Sequence, residues 1–216
     1  MTGVGAVSPL GAGGRNGKYW GNLLAGNSGL KAIQDIKVPI WNGPISECPV
    51  SSVGLIDRND ILVNQTGINA RKSEYPDFVD FALSAAKFAL EDSQLLDVLG
   101  ENKKENYLDN TRCGVAIGNG GIGSLHEIIS SYRNREKSYK KLSPFFVPRT
   151  LINMAAGNVS IKFGLKGPNH SVATACAAGT HSVGDAFNFI RLGMADAMLA
   201  GKLSSHCRIY CLYDDI

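Results

Sequence analysis

The sequence predicts an α/β protein with a mainly parallel sheet, on three observations. Short apolar runs that suit buried strands alternate with segments whose apolar residues recur at helical spacing. Glycine accounts for 25 of the 216 residues and recurs where such segments meet, as tight strand-to-helix turns require. With 44% hydrophobic residues, a chain of this length can bury a substantial core.

The amino-terminal part of the chain is predicted to hold two helices separated by an irregular stretch. Residues 2–10 have the composition of a strand end that runs into a turn. A short helix is predicted over 16–24, with Gly26 as its stop. Residues 28–73 contain three prolines and are predicted to lie outside the central layers. From 76 to about 93, apolar residues share one face, which predicts an amphipathic helix.

The rest of the chain alternates more regularly between the two kinds of segment. The predicted elements are, in order, a strand (113–118), a helix that includes Leu125 and Tyr132, a loop with exposed aromatic residues (139–148), a helix (151–163), a strand (172–175), a helix (177–192) and a strand (197–200). Strands separated by helices indicate βαβ units, and these units predict the parallel sheet.

Composition argues against several classes of function. A net charge of +3 is too small to indicate a nucleic-acid partner, and no apolar run approaches the ~20 residues of a membrane span. Five cysteines without regular spacing favour a reducing compartment over a disulfide framework. The opening residues show no targeting leader. His206, Cys207 and Cys211 lack a fourth ligand, so no metal site is predicted, and no cofactor either.

One cysteine stands in a context that favours chemistry. Cys176 lies in SVATACAAGTHSVGDAF, between residues compatible with a strand and residues compatible with a helix. This order predicts a sharp strand-to-helix turn, where the helix N-terminus favours a thiolate and backbone N–H groups can hold an oxyanion. A buried structural cysteine is the alternative. The small neighbours leave room for a substrate at the sulfur: Ala175, Ala177, Ala178 and Gly179.

Several motifs together resemble a known family. TGVGAVSPLG, GVAIGNG, SPFFVP, NMAAGNVSIKFGLKGP and GPNHSVATACAAGTHSVGDAF occur in that order. They resemble the elongating β-ketoacyl-acyl carrier protein synthases of type II fatty-acid synthesis, above all the mitochondrial ones, over residues 2–201. The resemblance implies a thiolase-like fold of layered αβαβα architecture, a homodimer and a mitochondrial location. It also implies a decarboxylative Claisen condensation between acyl-Cys176 and malonyl-acyl carrier protein.

The resemblance also assigns roles to further residues. Six match positions that line the acyl channel, with the phenylalanine reaching across from the partner subunit: Ala175, Gly120, Gly121, Ile122, Phe146 and Val147. Ordinary core packing is the alternative for these six. Lys140 and Lys141 stand where the family presents basic residues to the acidic carrier protein, and Arg71 and Lys72 carry the same prediction more weakly. A solvated basic face is the alternative reading of such clusters.

The family's second half supplies two histidines, a lysine and a Gly-Phe-Gly-Gly loop, which have no counterpart in this sequence. Residues 1–201 are therefore predicted to be the amino-terminal half of the synthase domain, and 202–216 a divergent tail. His181 is predicted to point away from the thiol, and the remaining histidines (126, 170 and 206) are expected to be structural or superficial.

The chain is accordingly expected to be truncated and inactive alone. The alternative is a non-catalytic fragment that binds acyl carrier protein or a partner subunit. A thiolase or an initiating synthase is a third reading, against which SPFFVP and GPN favour the elongating type.

Overall fold

The structure is a computed structural model that describes residues 1–35, 50–61, 76–96 and 108–204, together with Ser46. Some sequence predictions fall outside these residues. They concern Arg71, Lys72, His206, Cys207 and Cys211.

The amino-terminal elements are short. Strands β1 (Ala6–Ser8) and β2 (Gly11–Gly13) form an antiparallel hairpin, and helix α1 (Lys18–Leu24) follows. Strands β3 (Leu30–Ala32) and β4 (Ser52–Gly54) pair with each other in a second antiparallel sheet. Both of these strands belong to the stretch predicted to lie outside the central layers, and neither is paired with the parallel sheet described below.

Helix α2 (Asp77–Asp92) confirms the predicted amphipathic helix. Its buried face includes Phe78, Val79 and Ala82, which join the main apolar cluster. Phe78 is 2% exposed, so this face is covered by the sheet and by a neighbouring helix. Burial of an apolar side chain of this size stabilises the fold by about 1.5–3 kcal/mol.

The central sheet has three parallel strands in the order β6–β5–β7. They are β5 (Cys113–Asn119), β6 (Asn169–His170) and β7 (Ala197–Leu203). Every residue of β5 is buried, as a strand covered on both faces must be. The predicted parallel sheet is thus confirmed, with β5 at its centre.

Helices cover the two faces of β5. Successive side chains of a strand point to opposite faces, and Val115 and Ile117 pack in one cluster with α2 and with helix α5 (Met154–Phe163). On the other face, Gly118 lies against helix α6 (Ala178–Arg191). The described part of the chain therefore builds a helix–sheet–helix sandwich whose core lies along β5.

The segment predicted as an aromatic loop is more ordered than expected. It contains a 3₁₀ turn at Tyr139–Lys141 and the start of helix α4 (Phe146–Thr150), and both follow helix α3 (Leu125–Lys137). Proline is tolerated in the first turn of a helix, where its missing N–H has no intrahelical partner, so Pro148 does not prevent α4. The exposed aromatic character is confirmed, because Tyr139 is 75% exposed and Phe145 60%.

Two strand boundaries differ from the predictions. The strand predicted over 172–175 is wrong, since β6 ends at His170 and pairing resumes only as a single bridge between Asn119 and Ala173. The reason is that β5 ends at Asn119, which leaves the chain beyond Ala173 without a strand partner. In contrast, β7 runs three residues past its predicted end, to Leu203.

Candidate active site

Cys176 lies on the predicted turn into a helix. It occupies a 3₁₀ turn, Ala175–Ala177, that leads directly into α6, and its side chain is exposed. The thiol is therefore accessible to a substrate and stands at the N-terminal end of a fourteen-residue helix, where the aligned peptide dipoles favour negative charge. The expectation of a strand immediately before it is wrong, because β6 ends at His170.

The backbone immediately before Cys176 is strained. Ala175 has φ +48°, a left-handed conformation in which a residue with a Cβ is unfavourable. The turn is anchored to the sheet on its other side, where the Asn119 N–H donates to the Val172 carbonyl over 2.9 Å. The Ser171 hydroxyl also donates to the Ile117 carbonyl over 2.7 Å. We call residues 173–177 the elbow, since the chain there turns sharply from the sheet into α6.

Small residues allow α6 to approach the sheet closely behind the elbow. A Cβ at Gly118 would lie 2.5 Å from the carbonyl oxygen of Ala178 and 2.7 Å from the hydroxyl oxygen of Ser182. Ala178 is fully buried. The absence of a side chain at Gly118 therefore sets the distance between β5 and the first turn of α6, and with it the position of Cys176.

Two groups of predicted acyl-channel residues lie near each other. Gly120, Gly121 and Ile122 follow the carboxyl end of β5, the same edge of the sheet from which the elbow leaves. The N–H of Gly123 donates to the carbonyl of Thr150, the last residue of α4, over 3.1 Å. This contact links the loop after β5 to α4.

The side chains of this region are open to solvent. Ile122 is 48% exposed and Val147, on α4, is 57% exposed, whereas Phe146 is partly buried. Ala175 is exposed as well. The structure thus places all six predicted residues at one end of the sheet, with apolar side chains left uncovered by the described part of the chain.

The predicted carrier-binding lysines lie on a neighbouring surface. Lys140 and Lys141 are exposed in the 3₁₀ turn after α3, and the N–H of Lys140 donates to the Ser138 hydroxyl over 3.3 Å. Arg149, on the neighbouring helix α4, is instead half-buried and paired with Glu127, its Nη1 atom 3.4 Å from the Oε1 atom of the glutamate. Lys140 and Lys141 therefore leave their charges exposed to solvent where Arg149 does not.

Three side chains near the elbow have contacts that sequence reasoning missed. The ring Nδ1 of His181 lies 2.8 Å from the Thr174 hydroxyl, and the Lys202 ammonium donates to the Cys176 carbonyl over 3.4 Å. His170 Nε2 lies 3.1 Å from an Asp185 carboxylate oxygen. The available signal for Lys202 was its place at the start of the predicted divergent tail. The histidines offered no signal, because the His181 contact depends on the path of the elbow, and the His170 contact depends on how α6 lies against β6.

Other titratable groups serve the fold. Burial is the main cause that raises the pKa of the Cys113 thiol, with Asp196 and Asp109 adding to it, so Cys113 stays protonated in the core. Among the described residues, no three His, Cys, Asp or Glu side chains are grouped as metal ligands would be. None of the helices in the described ranges has the length and apolarity needed to cross a membrane.

The structure is thus that of an α/β protein in which an exposed thiol lies on a strained turn, at the start of a helix packed on a parallel sheet. This arrangement is similar to the nucleophile elbow of the α/β-hydrolases. The chain belongs to the beta-ketoacyl synthase family, because the model of that family's N-terminal domain matches residues 1–210.

Two relatives show which proteins of that family the chain is similar to. It is 38% identical over 215 residues to a 3-oxoacyl-[acyl-carrier-protein] synthase 2 of Rhizobium meliloti (strain 1021), covering 97% of this chain and 47% of the relative. It is 36% identical over 217 residues to the mitochondrial 3-oxoacyl-[acyl-carrier-protein] synthase of Arabidopsis thaliana, covering 95% and 44%. The chain thus spans about half the length of these relatives, as the predicted amino-terminal half requires.

A solved structure supports the same fold. A type II PKS ketosynthase, in complex with its acyl-carrier protein, superposes with a TM-score of 0.70 at 25% identity. The match covers 94% of this chain and 44% of the ketosynthase. The predicted α/β, thiolase-like fold is confirmed.

Proposed function

We propose that the chain is the amino-terminal half of an elongating β-ketoacyl-acyl carrier protein synthase, in which Cys176 carries the growing acyl group. The observation that carries the proposal is the exposed thiol at the N-terminus of α6, in a chain that belongs to this family. The two relatives above are both named as 3-oxoacyl-acyl carrier protein synthases, which supports fatty-acid synthesis as the setting.

The first step is acyl transfer to Cys176. Its thiolate attacks the thioester carbonyl of the acyl carrier protein and a carbon–sulfur bond forms to Cys176. The carrier's carbon–sulfur bond breaks, and its thiolate takes up the proton that the Cys176 thiol released. The N–H groups of Ala177 and Ala178 donate to the carbonyls of Thr174 and Ala175, and the aligned peptide dipoles at the N-terminus of α6 favour the oxyanion that forms at the substrate carbonyl. The small side chains around Cys176 leave space for that tetrahedral intermediate.

The second step is condensation. Malonyl-carrier loses carbon dioxide, and the resulting enolate attacks the acyl-Cys176 carbonyl. The carbon–sulfur bond breaks, and a 3-oxoacyl product two carbons longer leaves on the carrier. Donors that stabilise the enolate are expected from residues beyond this chain. Loss of one such donor typically costs about 10²–10³ in rate, so the chain alone accepts an acyl group but does not condense it.

An exposed apolar face of α6 is the surface on which we propose that the second half of the full-length protein packs. Val183, Phe187 and Ile190 lie on one side of this helix and are 57%, 62% and 44% exposed. Contiguous exposed apolar surface indicates an interaction site. This face begins seven residues after Cys176, about two helical turns along the chain, and it lies on the helix whose N-terminus carries the thiol. We assign it to the half of the relatives that this chain does not span.

The partners and the location follow from the same relatives. Acyl carrier protein binds at the surface of Lys140 and Lys141, a proposal supported by the ketosynthase solved with its acyl-carrier protein. The full-length protein is proposed to be a homodimer, with Phe146 reaching the partner's acyl channel. A mitochondrial location is supported by the Arabidopsis relative, although the Rhizobium meliloti relative is about as similar.

The test is acylation of the chain by an acyl-carrier protein thioester, followed by peptide mass spectrometry. We expect a hydroxylamine-sensitive acyl group on Cys176, its loss in Cys176→Ala and its retention in the control Cys113→Ala, which removes the buried thiol. After addition of malonyl-carrier, 3-oxoacyl product is expected only when the second half is co-expressed.

Two results would contradict the proposal. Carrier binding without any acylation of Cys176 would favour a non-catalytic binding fragment. Condensation product from the chain alone would show that the donors for the enolate lie within these residues.

A further inference from the structure

The strained elbow is held by side chains that lie outside it. Among the described residues, only Gln94 and Ala175 adopt positive φ without being glycine. A conformation of this kind persists only where surrounding contacts impose it. Since Ala175 precedes the nucleophile directly, the contacts that impose it also set the position of the Cys176 sulfur.

His181 makes one of those contacts. Its Nδ1 lies 2.8 Å from the hydroxyl oxygen of Thr174, the residue before Ala175. The Thr174 carbonyl accepts a hydrogen bond from the Ala177 N–H over 3.0 Å. Thr174 is thus bound on its side chain by α6 and on its backbone by the elbow, so the His181 contact closes a ring around Ala175 and Cys176.

The hydrogen bond between His181 and Thr174 does not depend on one protonation state of the imidazole ring. A hydroxyl can donate to a neutral imidazole nitrogen or accept from a protonated one, so the hydrogen bond forms in either state of the ring. The 2.8 Å separation is within the normal range for such a bond. Because Nδ1 is engaged by Thr174, His181 acts on the thiol through the backbone of the elbow.

We propose that His181 is a positioning residue, which through Thr174 holds Cys176 at the N-terminus of α6 in the geometry needed for acyl transfer. The inference rests on the proposed nucleophilic role of Cys176. Without the hydrogen bond between His181 and Thr174, Ala175 relaxes toward a negative φ and the Cys176 sulfur moves away from the N-terminus of α6. The thiolate then loses the favourable field of the helix.

The test measures the rate at which iodoacetamide alkylates Cys176 in the full chain, as a function of pH, with the site identified by peptide mass spectrometry. Thr174→Val replaces the hydroxyl by a methyl group of similar size. We expect alkylation near neutral pH to slow by about 2- to 12-fold, as for the loss of one hydrogen bond of ordinary net strength, and the pH profile to move to higher pH. Thr174→Ser, which keeps the hydroxyl, should restore the rate.

A matched control lies on the same helix. Thr180 is exposed on α6 and none of the hydrogen bonds found among the described residues involves its hydroxyl, so Thr180→Val should alkylate at the rate of the unmodified chain. Should Thr174→Val fold poorly, substitution of His181, the other partner of the hydrogen bond, gives the same test. His181→Ala should slow alkylation, His181→Asn should recover much of it, and Thr174→Val added to His181→Ala should slow it no further.

Each contrary result has its own meaning. A normal rate and profile in Thr174→Val, an equal loss in Thr180→Val or additive effects in the double variant would overturn the positioning role while leaving Cys176 a nucleophile. A Cys176 that resists alkylation in the unmodified chain would instead contradict the proposed function, and the positioning role with it.

Discussion

Gly118→Ala is predicted to destabilise the chain by moving α6 away from the sheet. The added methyl would lie 2.5 Å from the Ala178 carbonyl oxygen and 2.7 Å from the Ser182 hydroxyl oxygen, both in α6. A backbone oxygen cannot rotate aside, so the helix has to shift. Overpacking of this kind costs about 1–3 kcal/mol, which lowers Tm by about 2–12 °C for a chain of this size.

Urea unfolding followed by circular dichroism measures the loss, and alkylation of Cys176 reports whether the elbow moves with α6. Gly184→Ala is the matched control, because a Cβ at Gly184 meets no atom within 4 Å. There the substitution should raise stability by about 0.5–1 kcal/mol, the usual gain for alanine over glycine inside a helix. A Gly118→Ala chain as stable as the original, with unchanged reactivity at Cys176, would refute the view that this glycine sets the helix–sheet distance.

Three further predictions concern charge and the acyl channel. The hydrogen bond from Arg112 lowers the pKa of Asp196 in the folded chain. The stability that this pair adds is therefore fully present above pH 3.8, the ordinary pKa of the group, and is lost as the pH falls from there through the lowered pKa. Asp196→Asn should remove that part of the pH dependence of urea unfolding. In the full-length protein, a larger residue at Gly121 should shorten the longest acyl chain accepted, and an unchanged product distribution would argue against that position. Reversal of Lys140 and Lys141 to glutamate should weaken carrier-dependent turnover and flatten its salt dependence, since exposed charges are screened within ~10 Å. Turnover of a small carrier-free thioester should be spared, and an equal loss on both substrates would indicate misfolding.

Helices were predictable because their signals are local. The apolar face of α2 repeats at helical spacing, and α6 ends where Gly193 adopts φ +69°, a conformation that glycine accepts without strain. The buried strand β5 was equally visible, since its run of small apolar residues ends in glycines. Each of these elements depends on residues within a few positions of one another.

The elbow was only partly predictable because it depends on long-range pairing. Residues 172–175 are small and compatible with a strand, yet their conformation is decided by where β5 ends, more than fifty positions earlier in the chain. Composition gives no information on that end. The positive φ of Ala175 was likewise invisible, because alanine carries no signal for a left-handed conformation. The motif predicted a turn at Cys176, while the path of that turn required the structure.

The boundary predicted at residue 201 shows how a change of sequence differs from a change of structure. Lys202 is the first residue of the predicted divergent tail, but β7 continues in register with β5, pairing Gly118 with Lys202 and Asn119 with Leu203. Successive side chains of a strand point to opposite faces of the sheet, so Lys202 and Leu203 need only suit one face each. Leu203 is buried in the main apolar cluster, while the Lys202 side chain runs past Gly179 to the Cys176 carbonyl. The divergent residues therefore still satisfy the fold through Leu203, and the first of them reaches the backbone of the proposed nucleophile.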